Sequence, residues 1–189
     1  MISIANKSNS RIGDEISQIE LAKKNPHHFE ILYNRYFESI FRFIYQRMDS
    51  KETTADITSQ VFLKALVNIG KYTSQGFPFS AWLYRIALNE ISNYYNQPNH
   101  NRVINIESIK LHDLVDELNT EETEEKLNAL YQSVKNLEPD DLYLIEMRFF
   151  ESRSFKDIGE IMSITENNAK VKVYRILDKM KQEVSKHIS

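Results

Sequence analysis

The sequence predicts an all-α protein: two small helical domains joined by an acidic linker, the C-terminal one ending in a helix–turn–helix. Three observations predict it. Apolar residues recur at steps of three and four over most of the chain, the period of a helix buried on one side. Only four glycines and four prolines occur among 189 residues, so helices run long between breakers. Acidity is concentrated, with 8 acids and 1 lysine in residues 103–125, against 12 bases and 9 acids in residues 1–102 and 11 bases and 10 acids in residues 126–189. The net charge of −3 therefore hides two weakly basic ends and an acidic middle, and local charge decides where a polyanion docks.

Residues 1–13 are polar and expected to be disordered. A helix follows Asp14 and carries Ile16, Ile19 and Leu21, and Pro26 suits the first turn of the next one. From Phe29 the series Leu32, Tyr33, Tyr36, Ile40, Phe43 and Ile44 makes a helical stripe that Asp49 and Ser50 break. A segment over about Lys51–Ile69 puts Ile57, Val61, Ala65 and Ile69 on one face and stops at Gly70. The loop Lys71–Phe77 leads through Pro78 to a third long helix, with Phe79, Trp82, Leu83, Ile86, Ala87, Ile91 and Tyr94, which Gln97-Pro98-Asn99 ends.

The segment 103–125 is the expected linker, in which Leu111, Leu114, Val115 and Leu118 suit a short amphipathic turn. After Asn119-Thr120 a helix is expected to about Lys135, with Glu121 and Glu122 near its positive end. Another opens at Pro139 and runs to about Phe150. A short helix, Ser154–Met162, and a longer one from Thr165 complete a C-terminal domain of about four helices.

Composition excludes several function classes. There is no cysteine, which removes disulfides, zinc–thiolate sites and thiol chemistry. The histidines, His27, His28, His100, His112 and His187, lack metal-ligand spacing. No glycine-rich phosphate loop and no nucleophile–base arrangement stands out, so neither an enzyme nor a cofactor is expected. No apolar run approaches the ~20 residues of a membrane span, so no membrane insertion is expected. The N-terminus lacks the apolar segment of a secretory signal, and a soluble cytoplasmic protein is the reading.

The helix–turn–helix carries the first functional signal. Ser154 suits an N-cap, Phe155, Ile158 and Ile161 a buried face, Gly159 a close helix approach, and Thr165 the cap of the second helix. In that helix Ala169, Val173, Ile176 and Met180 face inward, while Asn167, Asn168, Lys170, Lys172, Tyr174 and Arg175 face outward. Amides and bases in the first turns of a helix suit the major groove: asparagine pairs with adenine, and lysine or arginine with guanine or phosphate. An ordinary αα-hairpin with a solvated basic face would show the same pattern.

Stretches in both halves of the chain then resemble one family, in that family's own order. Met147–Ile161 with Ile164–Arg175, ITENNAKVKVYR, resembles the C-terminal promoter-binding region of bacterial sigma factors. Ala55–Leu66, ADITSQVFLKAL, resembles their polymerase-binding helix, and Phe79–Asn89, FSAWLYRIALN, their −10-element helix. The resemblance covers roughly residues 14–185 and is to the small extracytoplasmic-function (ECF) branch of the sigma-70 family. It implies region 2 over 14–102, a linker over 103–125 that in the family threads the polymerase's RNA-exit path, and region 4 over 126–189.

The residue roles below are what that resemblance implies. Asp56, Gln60 and Phe62 would dock on the coiled-coil clamp of core RNA polymerase. Trp82, Arg85, Asn89 and Asn93, with Phe77 in the adjoining loop, would meet the −10 element and hold an unstacked base. Asn167, Asn168, Lys170, Lys172, Tyr174 and Arg175 would read the −35 element, with Arg148 and Lys156 on phosphate. The implied partners are core RNA polymerase, promoter DNA and, commonly, an anti-sigma factor. Trp82 and Phe79 also fit the apolar stripe, and core packing is their first expected role.

The chain departs from the family's pattern in places. A glycine is usual at Ser152 and at Ser163, and serine in a left-handed turn costs on the order of 1 kcal/mol. The basic run that often follows the −10 helix is reduced to Arg102, so unaided DNA affinity is expected to be weak and less steep in salt. A stand-alone helix–turn–helix regulator is the alternative function, but it has no need of a polymerase-docking helix.

Overall fold

The structure is a computed structural model describing residues 4–74, 77–98, 114–115 and 123–187, with only the backbone described for residues 4–13 and for His187. The chain divides into two compact units, Met1–Val103 and Ile104–Ser189. Most of the expected linker lies outside the described residues, as do Glu121, Glu122 and the short apolar run Val103–Ile106. Leu114 and Val115 are helical and buried.

In the N-terminal unit α1 spans Ile4–Lys24, α2 Phe29–Tyr45, α3 Lys51–Asn68 and α4 Phe79–Tyr95. The expectation of disorder up to Asp14 is corrected for residues 4–13, which are helical. No proline interrupts that stretch, and extending a helix already nucleated on a packed second half costs little per residue. Pro26 sits in a 3-10 turn, Pro26–His28, capped by the Asn25 side chain, and this turn swings the chain into α2. Ser50 caps α3 by accepting the Thr53 N–H at 3.0 Å. Beyond Asn68 the chain tightens into a 3-10 turn, Ile69–Lys71, in place of a further α-turn.

The expected stripes form the core of this unit. Leu32, Ile40 and Ile44 of α2 meet Val61 and Ala65 of α3 and Leu83, Ala87 and Ile91 of α4, all buried. Burying one such aliphatic side chain contributes roughly 1.5–3 kcal/mol. Arg47, just past α2, is also buried. Its guanidinium lies 3.8 Å from the Phe43 ring centroid and donates to the Phe43 carbonyl at 2.8 Å.

Glu15 joins three helices. Its carboxylate accepts from the Tyr36 hydroxyl, lies 3.9 Å from Arg35 and accepts the backbone N–H of Phe79, the first residue of α4. Pro78 offers no side-chain cap for α4, so a carboxylate from α1 occupies the positive end of that helix. Burial pushes the Glu15 carboxyl up, and Arg35 and the Phe79 amide hold it back.

In the C-terminal unit α5 spans Glu124–Lys135, α6 Pro139–Ile145, α7 Phe155–Met162 and α8 Glu166–His187. Thr123 caps α5 through the Lys126 N–H, later than the Asn119-Thr120 start expected from sequence. The helix expected to reach Phe150 changes pitch at Glu146 and ends in a π-turn, Glu146–Phe150. Ala169, Val173, Ile176 and Met180 are buried, joined by Leu177 and Val184. Ser133 of α5 donates to the Glu183 carboxylate of α8 at 2.9 Å.

The turn between α7 and α8 is tight because Gly159 has no side chain. A Cβ there would lie 2.8 Å from the Ile164 carbonyl oxygen and 3.2 Å from the Glu166 nitrogen. Ser163 caps α7 in the left-handed region, φ 58°, and Ser152 holds φ 55° after the π-turn. These are the two positions where the family resemblance leads one to expect glycine.

Two substitutions test this geometry in opposite directions. Gly159→Ala forces backbone apart and should destabilise the C-terminal unit by about 1–3 kcal/mol. Ser163→Gly relieves a left-handed strain of ~1–2 kcal/mol and adds ~0.4–1 kcal/mol of chain entropy to lose, a net gain of about 0.5–1 kcal/mol. Urea unfolding followed by circular dichroism should move the midpoint down for the first and up for the second.

Candidate nucleic-acid interface

Three surfaces emerge from these helices, and each is described within its own unit. On α4, Trp82 stands between two cavities. One, of about 190 Å³, is lined by Lys71, Tyr72, Thr73, Phe77, Pro78, Trp82 and Arg85. The other, of about 490 Å³, is lined by Lys64, Asn68, Trp82, Ile86, Asn89, Glu90, Ser92 and Asn93. The sequence-derived residues Phe77, Trp82 and Arg85 thus meet in the first, and Trp82, Asn89 and Asn93 in the second.

The aromatic walls of this face are built from the core outward. Phe79 is buried and packs edge-on to Tyr72, centroids 5.2 Å apart, while Trp82 lies 5.3 Å from Phe79 and 4.9 Å from Tyr72. Core packing, the first expected role of Phe79 and Trp82, is therefore what holds the exposed part of the Trp82 ring in place. Burial raises the Tyr72 hydroxyl above its ordinary value, and that hydroxyl reaches the Phe77 carbonyl at 3.4 Å. Flat aromatic surface beside amide and cationic groups is the chemistry that accepts an unstacked base.

The second cavity has a polar floor. Glu90 is buried and accepts from Lys64 at 2.6 Å and from the Asn93 amide at 3.4 Å. Asn93 is thus tied to its own helix, and both it and Asn89, one turn earlier, are exposed.

On α3 the expectation for Phe62 needs correction. It is 3% exposed, enclosed by the rings of Phe29, Tyr33 and Phe37, so its ring is not offered to a partner. Asp56 and Gln60 are exposed as expected. In register with them stand Leu63, 59% exposed, and Val67, 71% exposed. Sequence reading passed over both, although they fall off the Ile57–Val61–Ala65 face assigned to the core. Apolar residues on the wrong side of an otherwise satisfied helix are the signal that marks them.

On α8 the two asparagines fall at the second and third helical positions. Thr165 caps the helix by accepting the Asn168 N–H at 3.1 Å, which leaves the amides of Asn167 and Asn168 on the exposed first turn. Lys170, Lys172, Tyr174 and Arg175 are all exposed. Arg148, carried by the π-turn, donates to the Arg153 carbonyl at 3.0 Å and lies 4.6 Å from the Phe155 ring centroid. Phe155 in turn contacts Tyr174, centroids 6.3 Å apart. Arg148 therefore also holds the Phe155–Tyr174 edge of this face, and Lys156 lies exposed next to it in sequence.

Among the described residues no group of His, Asp or Glu is placed to hold a metal ion, and no helix is long and apolar enough to cross a membrane.

Comparison with known proteins matches two family models, "Sigma-70 region 2" over residues 32–100 and "Sigma-70, region 4" over residues 127–180. The ECF RNA polymerase sigma factor BldN of Streptomyces coelicolor is 30% identical over 149 residues, covering 78% of this chain and 56% of BldN. The chain therefore spans little more than half of that relative's length. The ECF RNA polymerase sigma-E factor of Haemophilus influenzae is 25% identical over 166 residues, 82% of this chain and 87% of that protein. Among solved structures, CnrH in complex with the cytosolic domain of CnrY superposes with a TM-score of 0.55 at 14% identity, over 90% of this chain and 97% of that one, a likeness of fold.

Proposed function

The chain belongs to the ECF branch of the sigma-70 family, and on that premise we propose that it binds core RNA polymerase and directs promoter recognition, −10 opening and the start of transcription. In this reading residues 14–102 are the polymerase and −10 unit, 103–125 the linker and 126–189 the −35 unit. The protein is a non-enzymatic specificity subunit at work in the cytoplasm.

The observation that carries the proposal is the coexistence of three differently built faces in one chain. Leu63 and Val67 continue the Asp56–Gln60 line on α3 and suit a protein partner. The face around Trp82 suits an extruded base, and α8 suits duplex DNA. A stand-alone helix–turn–helix regulator uses the last of these and leaves the other two without purpose. An anti-sigma partner belongs to the same proposal, since exposed apolar side chains that await polymerase are a surface a competitor can cover.

Co-elution of the purified chain with core RNA polymerase tests the proposal, and failure to co-elute contradicts it. Leu63→Asp places a charge in the docking face and should weaken core binding at least tenfold, the scale of ~1.4 kcal/mol or more for an interface anchor. Circular dichroism should be unchanged, because Leu63 is exposed.

Asn89→Ala should leave core affinity intact and slow promoter opening by roughly tenfold, about the worth of one or two lost amide hydrogen bonds. Permanganate footprinting of the holoenzyme reads this directly, and unchanged opening rejects the role of Asn89.

A further inference from the structure

The outward face of α8 has an apolar centre. Val171 is 48% exposed, while the other aliphatic side chains of the helix, Ala169, Val173, Ile176, Leu177, Met180 and Val184, are buried. On a helix the nearest surface neighbours of a residue lie three and four positions away. For Val171 these are Asn167, Asn168, Tyr174 and Arg175, and Lys170 and Lys172 flank it in sequence. All six are exposed, and with Glu166 at the start of the helix they surround Val171 on the outward side of its first three turns. Val171 is therefore the middle of the candidate DNA-reading face, on the side of the helix opposite the buried stripe.

A β-branched residue in that place leaves about half of its surface in water and is a poorer helix former than the lysines beside it. It makes no hydrogen bond to a base edge and no ion pair with phosphate. The major groove displays one apolar group, the C5-methyl of thymine; every other feature of the base edges there is a polar donor or acceptor. Docked helices of this kind put their N-terminal turns against base edges, and Val171 lies in the second turn. Asp178, exposed one heptad further along the same face, opposes phosphate there and confines close approach to the turns around Val171.

We infer that Val171 reads the methyl group of one thymine in the −35 duplex and so fixes a T·A pair at that position. The inference rests on the reading that α8 lies in the major groove. The polar neighbours supply affinity and their own hydrogen-bond readout. Val171 supplies discrimination that they lack, because thymine and uracil present them with the same acceptor and differ only in the methyl.

The test uses the full chain with core RNA polymerase. Promoters are selected from a randomised library by run-off transcription. Each thymine of the selected −35 segment is then replaced singly by deoxyuridine, which deletes only the methyl. With the unaltered chain one such replacement should lower promoter affinity about fourfold, the worth of one methyl-sized group removed from water. With Val171→Ala, whose folding and core binding should be unaffected, the same replacement should cost nothing.

Insensitivity of the unaltered chain to every thymine-to-deoxyuridine replacement overturns the inference. Undiminished sensitivity in Val171→Ala overturns it equally. Selected promoters with no −35 preference overturn the placement of α8 in the groove, and the role of Val171 with it. In the first two cases the placement of α8 survives and only the role of Val171 is lost.

Discussion

A helix of seven, eight or twelve residues, such as α6, α7 or α5, does not hold by itself in water. Each becomes stable only by burying one face on a neighbour. That constraint divides every helix in two. The buried side of α4, with Leu83, Ala87 and Ile91, fixes where Asn89 and Trp82 stand. The buried side of α8, with Ala169, Val173 and Met180, aims Asn167, Lys170 and Val171 outward. A partner meets whatever the cores leave over, held in place by side chains it never touches.

The two units meet the constraint differently. In the N-terminal unit, aromatic and aliphatic stripes of three long helices close on each other, and Glu15 reaches from α1 to the start of α4. That carboxylate fixes the helix end beside the smaller cavity, so α1 steadies a surface to which none of its described side chains contributes. In the C-terminal unit the helices are shorter and the turns carry more of the burden. Left-handed Ser163 and Gly159, which has no room for a Cβ, set the turn between α7 and α8, while the π-turn and left-handed Ser152 set the entry to α7. Strain of this kind costs stability and persists where the surrounding packing over-determines it.

Much of this was legible in the sequence, and the reasons are physical. Steps of three and four made α2, α3, α4 and α8 visible, since a buried stripe must repeat with the helix. Capping residues located Thr165, and the Asn167–Asn168 pair followed from it. Features without a period were not legible. The start of α1 at Ile4 lacks an apolar stripe to announce it. Phe62 and Leu63 are adjacent and both apolar, so only the packing of Phe29, Tyr33 and Phe37 decides which is buried. Val171 was passed over because polar residue types drew the reading toward hydrogen bonds. The Glu15–Phe79 link joins distant segments, and no local pattern encodes it.

The central claim is that one chain joins a polymerase-docking face to two DNA-reading faces. Run-off transcription by core polymerase on a promoter library randomised in both elements tests it most directly. The account predicts transcripts only when the chain is present, with selected start sites preceded by preferences at both the −10 and −35 elements at a fixed spacing. Transcripts that do not depend on the chain, or dependence with no paired preference at the two elements, would contradict it.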